Sequence, residues 1–181
     1  MKKILSILTA TAAIATNLDM QARSLVVYFS HSGNTRIVAE KIQELTQADI
    51  FEIVPENEYP ADYQAVVDQA RNEIKAGARP ALQESDLDLT PYDTLFVGSP
   101  CWWSTIAPPV ATFLTTHNFS GKTIVPFMTH EGSRMGHSES DIRDLCPKAT
   151  LRPGLPIRGS EAGKADAAIK KWLQTHDLLK K

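Results

Sequence analysis

The chain is expected to fold as an α/β protein: one parallel sheet with helices on both faces. Three observations point there. Short apolar runs and helix-period segments alternate five times along the sequence. The clearest run, Leu25-Val-Val-Tyr28, shows no polar alternation, as expected of a strand covered on both sides. The connections are long enough for right-handed crossovers, which put helices on both faces of a sheet.

The first strand belongs to Ser24-Leu-Val-Val-Tyr-Phe-Ser30 and runs directly into His31-Ser-Gly-Asn-Thr35. Ile37, Val38, Ile42 and Leu45 then recur at helical spacing, with Asn34 or Thr35 placed to cap the first turn. Asp49–Val54 reads as a second strand ended by Pro55. Tyr63, Val66, Val67, Ala70 and Ile74 mark a helix from Asp62 to about Ala76, closed by Gly77. Residues 78–91, with Pro80 and Pro91, read as a connecting loop. Thr94–Gly98 is the third strand, followed by a proline-flanked loop and a helix bearing Val110, Phe113 and Leu114. Thr123–Met128 is the fourth strand, and Ile142 and Leu145 sit on the next helix. Pro153, Gly154 and Pro156 confine the fifth strand, Thr150–Ile157, to a sheet edge. Ala165, Ile169, Trp172 and Leu173 mark the closing helix.

The 181 residues suit one domain, and 43% hydrophobic with 22% charged residues is ordinary for a globular chain. Residues 1–22 stand apart: Lys2 and Lys3, then an apolar stretch from Ile4 to Ala15, then a short polar stretch ending at Ala22. That is the three-part form of a secretory signal peptide, too short to span a bilayer. Cleavage would give a periplasmic or secreted domain of residues 23–181; an uncleaved helix would leave it cytoplasmic. Losing Lys2, Lys3 and Asp19 takes the 19 basic and 21 acidic residues to 17 and 20, so the formal charge moves from −2 to −3. Scattered basic residues and a slightly acidic balance argue against nucleic acid as a partner. Cys101 and Cys146 form neither a CxxC pair nor a zinc spacing.

In parallel α/β folds ligands bind at the carboxyl ends of the strands, where this sequence places loops 30–35, 99–107 and 129–136. The first combines a strand end, hydroxyls, Gly33 and a helix start. Converging N–H groups and a helix dipole there make an anion pocket suited to phosphate, although such residues also make ordinary tight turns. The dinucleotide and Walker patterns are not met, which favours a mononucleotide. In the second loop, Trp102 and Trp103 cannot both turn inward unless the loop folds onto something: one is expected to meet a planar ligand, the alternative being that both pack against neighbouring helices. The third loop, Thr129–Gly136, has N–H donors for the edge of a heterocycle, and equally the composition of a surface turn. His31, His130, His137 and Glu131 match no familiar metal-ligand spacing, and no nucleophile elbow is present.

Together, Tyr28-Phe-Ser-His-Ser-Gly-Asn-Thr35, Pro100-Cys-Trp-Trp-Ser-Thr-Ile-Ala-Pro108, Phe119-Ser-Gly-Lys-Thr-Ile-Val-Pro-Phe127 and Thr129-His-Glu-Gly-Ser133 resemble the flavodoxin-like proteins, over residues 24 to 178. The resemblance implies strand order 2-1-3-4-5, the short-chain form, and bound FMN. It places Ser30, His31, Ser32, Gly33, Asn34 and Thr35 around the FMN phosphate. Pro100, Cys101, Trp102, Trp103 and Ser104 would form one wall of the flavin pocket, and Thr129, His130, Glu131, Gly132 and Ser133 the other. The sequence departs from that pattern at Ser104, where Gly is usual, and at His130-Glu131, where small residues are usual. If position 104 requires a positive φ, Ser there costs about 1–2 kcal/mol.

The function so implied is electron transfer, as a carrier or an FMN-dependent oxidoreductase, with a redox partner protein or a small-molecule electron acceptor. The competing reading is a cofactor-less binding or adaptor module on the same fold. A receiver domain is set aside, because it needs carboxylates where this chain has Ser30 and His31.

Overall fold

The computed structural model describes residues 23–179. The segment read as a leader, residues 1–22, lies outside the described residues. Among those described, no helix is long and apolar enough to cross a membrane.

Four strands form the parallel centre: β1 (Arg23–Tyr28), β2 (Asp49–Glu52), β3 (Tyr92–Trp102) and, after a two-residue strand β4 (Thr105–Ile106), β5 (Thr123–His130). The edge beyond β5 is shared by β6 (Thr150–Leu151) and β7 (Leu155–Arg158), both parallel to it. The order β2-β1-β3-β5-β6 is the 2-1-3-4-5 arrangement expected. Arg152-Pro153-Gly154 splits the edge strand in two. Its Pro153 carbonyl accepts from Trp172 Nε1 and His176 Nε2, each at 3.0 Å, so the interruption is anchored on the last helix.

Alternate strand residues face opposite cores. Leu25, Val27, Leu95, Val97, Ile124 and Met128 look toward α2 (Tyr63–Ala76), α3 (Pro108–Thr116) and α4 (Ser138–Leu145). Val26, Tyr28, Phe96, Val125 and Phe127 look toward α1 (Asn34–Thr46), α5 (Asp166–Thr175) and the preceding 3-10 turn (Gly159–Lys164). Both faces are dry, which is why these strands read as unbroken apolar runs.

Several local expectations change. Ile37 is 38% exposed, because the buried stripe of α1 runs through Thr35, Val38, Ala39, Ile42 and Thr46 and leaves it to one side. Neither Asn34 nor Thr35 caps α1: Gly33 occupies the cap position in a left-handed conformation, with no side-chain cap. Asp62 does cap α2, accepting from Ala65 N at 2.8 Å, and Gly77 closes it. Tyr63, counted toward the core stripe of α2, is 78% exposed. The loop 78–91 lies along residues 54–56 through two backbone hydrogen bonds of 2.9 Å, and buries Leu82 and Leu89. β3 and β5 both run past their expected ends, so part of each expected loop is strand.

Gly98 lies on β3 between Tyr28 of β1 and Phe127 of β5. A Cβ there would lie 2.2 Å from Phe127 Cζ and 2.8 Å from Tyr28 Cβ, both on buried side chains held by neighbouring strands. Gly98→Ala is expected to lose ~1–3 kcal/mol by overpacking. Urea unfolding reads this as a lower midpoint at unchanged slope.

Candidate functional site

After β1, Phe29 N still donates to Gly98 O at 3.1 Å, and then the backbone leaves the sheet. Among the described residues, no protein group accepts from the N–H groups of Ser30, His31, Ser32, Gly33, Asn34 or Thr35. Gly33, at φ 87°, turns the chain into α1, where Ile37 N closes the first turn onto Gly33 O at 3.0 Å. Ser30 Oγ accepts from Arg36 N at 3.2 Å. Successive free N–H groups at a helix start form a concavity of positive partial charge, an anion cradle. Arg36 is engaged by Glu52 at 2.5 Å, so backbone dipoles carry the cradle's pull. Thr35 is buried and shares a 2.7 Å hydrogen bond with the buried Thr129, tying the helix start to the end of β5.

The expected loop around the tryptophans is a β-hairpin. Cys101 pairs with Ile106 and Trp102 with Thr105, leaving Trp103 and Ser104 as a two-residue turn. Both have positive φ, 50° and 66°, the arrangement for which hairpins favour Asn-Gly. The turn is clamped from outside: Ser104 O accepts from His137 N at 2.8 Å. A Cβ on neighbouring Gly136 would come within 2.1 Å of that carbonyl. Ser99 Oγ braces the base, accepting from Ala107 N at 2.9 Å.

The two indoles part company. Trp102 turns inward, edge-on to Tyr59 at 5.0 Å and Phe29 at 5.5 Å, with the His31 ring at 5.9 Å. His31 Nε2 reaches Pro60 O at 3.0 Å. Tyr59 donates to Glu73 at 2.5 Å; burial, reinforced by that carboxylate, pushes its phenol well above the usual range. Trp103 turns outward, 48% exposed, its Nε1 donating to Val67 O at 3.1 Å.

On the third segment, His130 has a buried Nδ1 with no partner. Burial, and then the positive charges of Arg134 and Arg158, hold its imidazole below its ordinary value. Glu131 pairs with Arg158 at 3.6 Å. A Cβ on Gly159 would lie 2.5 Å from Glu131 Oε1 and 2.7 Å from Asn34 Nδ2, so these side chains close over a glycine.

A cavity of about 650 Å³ joins the three segments. His31, Ser32 and Asn34 line it from the first, all five residues Pro100–Ser104 from the second, and Thr129, His130, Glu131 and Ser133 from the third. Ser30 faces an adjoining depression instead. Gly33 and Thr35 shape the cradle behind the cavity surface, and Gly132 is not in its lining. Cys146 is buried away from it, its thiol pushed up to about 11 by burial. Residues not foreseen from sequence also line the cavity: Ala61, Tyr63, Val66, Val67 and Ala70 along α2, and Gly159. The α2 spacing predicts a buried stripe and does not tell a core face from a cavity wall. The donor set suits a flavin mononucleotide: free amides at one end and apolar aromatic walls beyond.

Residues 23–176 match the flavodoxin family model. The chain belongs to the flavodoxin family. It is similar to a candidate flavoprotein of Bacteroides uniformis ATCC 8492, at 28% identity and TM-score 0.76, covering 84% of this chain and 98% of that one. A candidate flavoprotein of Bacteroides eggerthii DSM 20697 matches at 28% identity and TM-score 0.73, covering 85% and 97%. The flavoprotein of Lactobacillus acidophilus NCFM, solved in complex with FMN, matches at 27% identity and TM-score 0.64, covering 79% and 97%. No curated protein matches.

Within this flavodoxin, Ser104 and His130 yield direct tests. Ser104→Gly relieves about 1–2 kcal/mol of left-handed strain and adds roughly 0.5–1 kcal/mol of unfolded-chain entropy. It is therefore expected to melt slightly higher than the parent, whereas Ser104→Ala gains nothing. For His130 the folded value lies below the ordinary 6.5, so the unfolded chain binds more protons between the two. The contribution of the neutral imidazole is complete above the unfolded value and is lost as pH falls through the folded one. Urea titrations at about pH 7 and about pH 5 should show the parent losing more stability on acidification than His130→Gln.

Proposed function

We infer that the chain binds FMN and works in electron transfer, as a carrier or as an FMN-dependent oxidoreductase. The observation that carries this is the run of free N–H groups from Ser30 to Thr35 at the rim of the 650 Å³ cavity, beside an indole-bearing wall. The family and the FMN complex of the Lactobacillus relative support it.

Bound FMN would supply a ring system that takes up and returns one or two electrons. The protein's part is holding and tuning. The amides of Ser30–Thr35, with the Ser32 and Asn34 side chains, would hold the phosphate dianion. Pro100–Ser104 on one side and Thr129–Ser133 on the other would enclose the ring. The neutral His130 imidazole can donate or accept a hydrogen bond there without adding charge. Thr35 and Thr129 fix the spacing between cradle and wall.

Fluorescence titration of the purified protein tests the reading. FMN is expected to bind saturably in the micromolar range or tighter, with riboflavin, which lacks the phosphate, at least about tenfold weaker. No saturable quenching by FMN would overturn the cofactor reading in favour of a cofactor-free binding module. Equal affinities for both flavins would remove the cradle from it.

A further inference from the structure

The cavity has a wall that neither the anion cradle nor the two flanking segments use. It is the side of α2 carrying Tyr63, Val66, Val67 and Ala70, residues three and four apart and so on one helical face. Core packing takes only part of this face. Val66 and Ala70 are buried, Val67 is half-buried, and Tyr63 is exposed. What is left looks into the cavity and carries no charge.

Trp103 meets this wall. Its Nε1 bond to Val67 O ties the hairpin tip to the middle of α2 and fixes the angle of the indole. The Arg71 guanidinium lies 5.0 Å from the ring centroid. Among the described residues Arg71 has no carboxylate partner, as is also true of Arg79, Arg134, Arg143 and Arg152, but Arg71 is the one held over an indole at the cavity rim. An apolar surface and a fixed indole therefore meet at one end of the cavity, and the exposed Arg71 guanidinium lies over that indole, just outside the residues that line it.

We propose that this end is a second compartment, which binds a flat aromatic anion: an aromatic ring bearing a carboxylate or sulfonate. The inference rests on the reading that the cofactor lies between the hairpin and the β5 segment, and it supplies the class of the site's second ligand. Each part of such a ligand has a counterpart. The ring displaces water from the Tyr63 and Val67 surface, which is the part of the wall left open, and stacks on the Trp103 face that Arg71 does not cover. The anionic group meets the Arg71 fork, which suits planar oxyanions. A cationic aromatic would be repelled by Arg71, and an aliphatic anion would gain nothing from the indole.

The test is calorimetric titration of the full chain, with and without FMN, using naphthalene-2-sulfonate as probe and naphthalene-2-methanol as its uncharged twin. One-site binding of both is expected in both forms of the protein. Arg71→Ala, an exposed change that removes only the guanidinium over Trp103 and leaves the Val67 bond to the indole in place, should weaken the sulfonate about tenfold and the alcohol far less. Val67→Asp should weaken both, its fold being checked by melting; if it does not fold, Arg71→Glu, which should weaken the sulfonate further, decides. No saturable binding, equal sulfonate affinity in Arg71→Ala, or displacement of the probe by FMN would each overturn the proposal. Failure of FMN alone to bind the parent would instead sink the cofactor reading, and the compartment would then be judged on the same variants in cofactor-free protein.

Discussion

Everything at the site follows from the double burial of β3. The strand is hydrogen-bonded on both sides, to β1 through Gly98 and to β5 through Thr129, and Leu95, Phe96 and Val97 are dry on both faces. Such a strand cannot leave the sheet with its backbone groups unpaired. β1 has already turned away at Ser30, so β3 loses one neighbour at its carboxyl end. It recovers pairing by folding back on itself, Cys101 with Ile106 and Trp102 with Thr105. The cavity opens in the gap between the departing β1 and this hairpin, which is how a continuous sheet produces a crevice at the point where strand order reverses.

That geometry separates what the sequence could disclose from what it could not. Burial on two faces writes itself into composition, so Leu25–Tyr28, Thr94–Gly98 and Thr123–Met128 were legible as strands, and Pro153 with Pro156 marked the edge. Asp62 and Gly77 announced α2 because caps act locally. The hairpin was not legible: Trp103-Ser104 has none of the glycine or asparagine that a positive-φ turn usually carries, and what holds it comes from His137 and Gly136, some thirty residues on. The departure at Ser104 was visible, but only the backbone shows that the position is left-handed. Tyr63 misled for a related reason. Helical periodicity locates a face without saying whether protein or open space lies against it.

The electrostatics follow the same division of labour. At the cradle the positive charge is partial and belongs to the backbone, while the nearby Arg36 is occupied by Glu52. Around β7, Arg158 is drawn to Glu131. A full cation facing the cradle would hold any phosphate more tightly but less selectively; fixed N–H groups favour an anion of the right shape because they cannot move to meet another.

Strain and support are therefore concentrated in one small region. Two consecutive non-glycine residues in the left-handed region cost on the order of 1–2 kcal/mol each. They persist because three independent elements hold them: α2 through the indole bond to Val67, the turn before α4 through His137 N, and β3 itself through the hairpin pairs. The consequence is directional. Trp102 and Trp103 are adjacent in sequence, yet one packs on Phe29 and Tyr59 while the other stands at the cavity rim over α2. With an extended backbone at 103 and 104 the strand would run on past the sheet and its side chains would simply alternate from face to face. The tight left-handed turn instead keeps the second indole beside Val67 and Arg71, so the shape of the far end of the cavity is set by backbone conformation rather than by side-chain size.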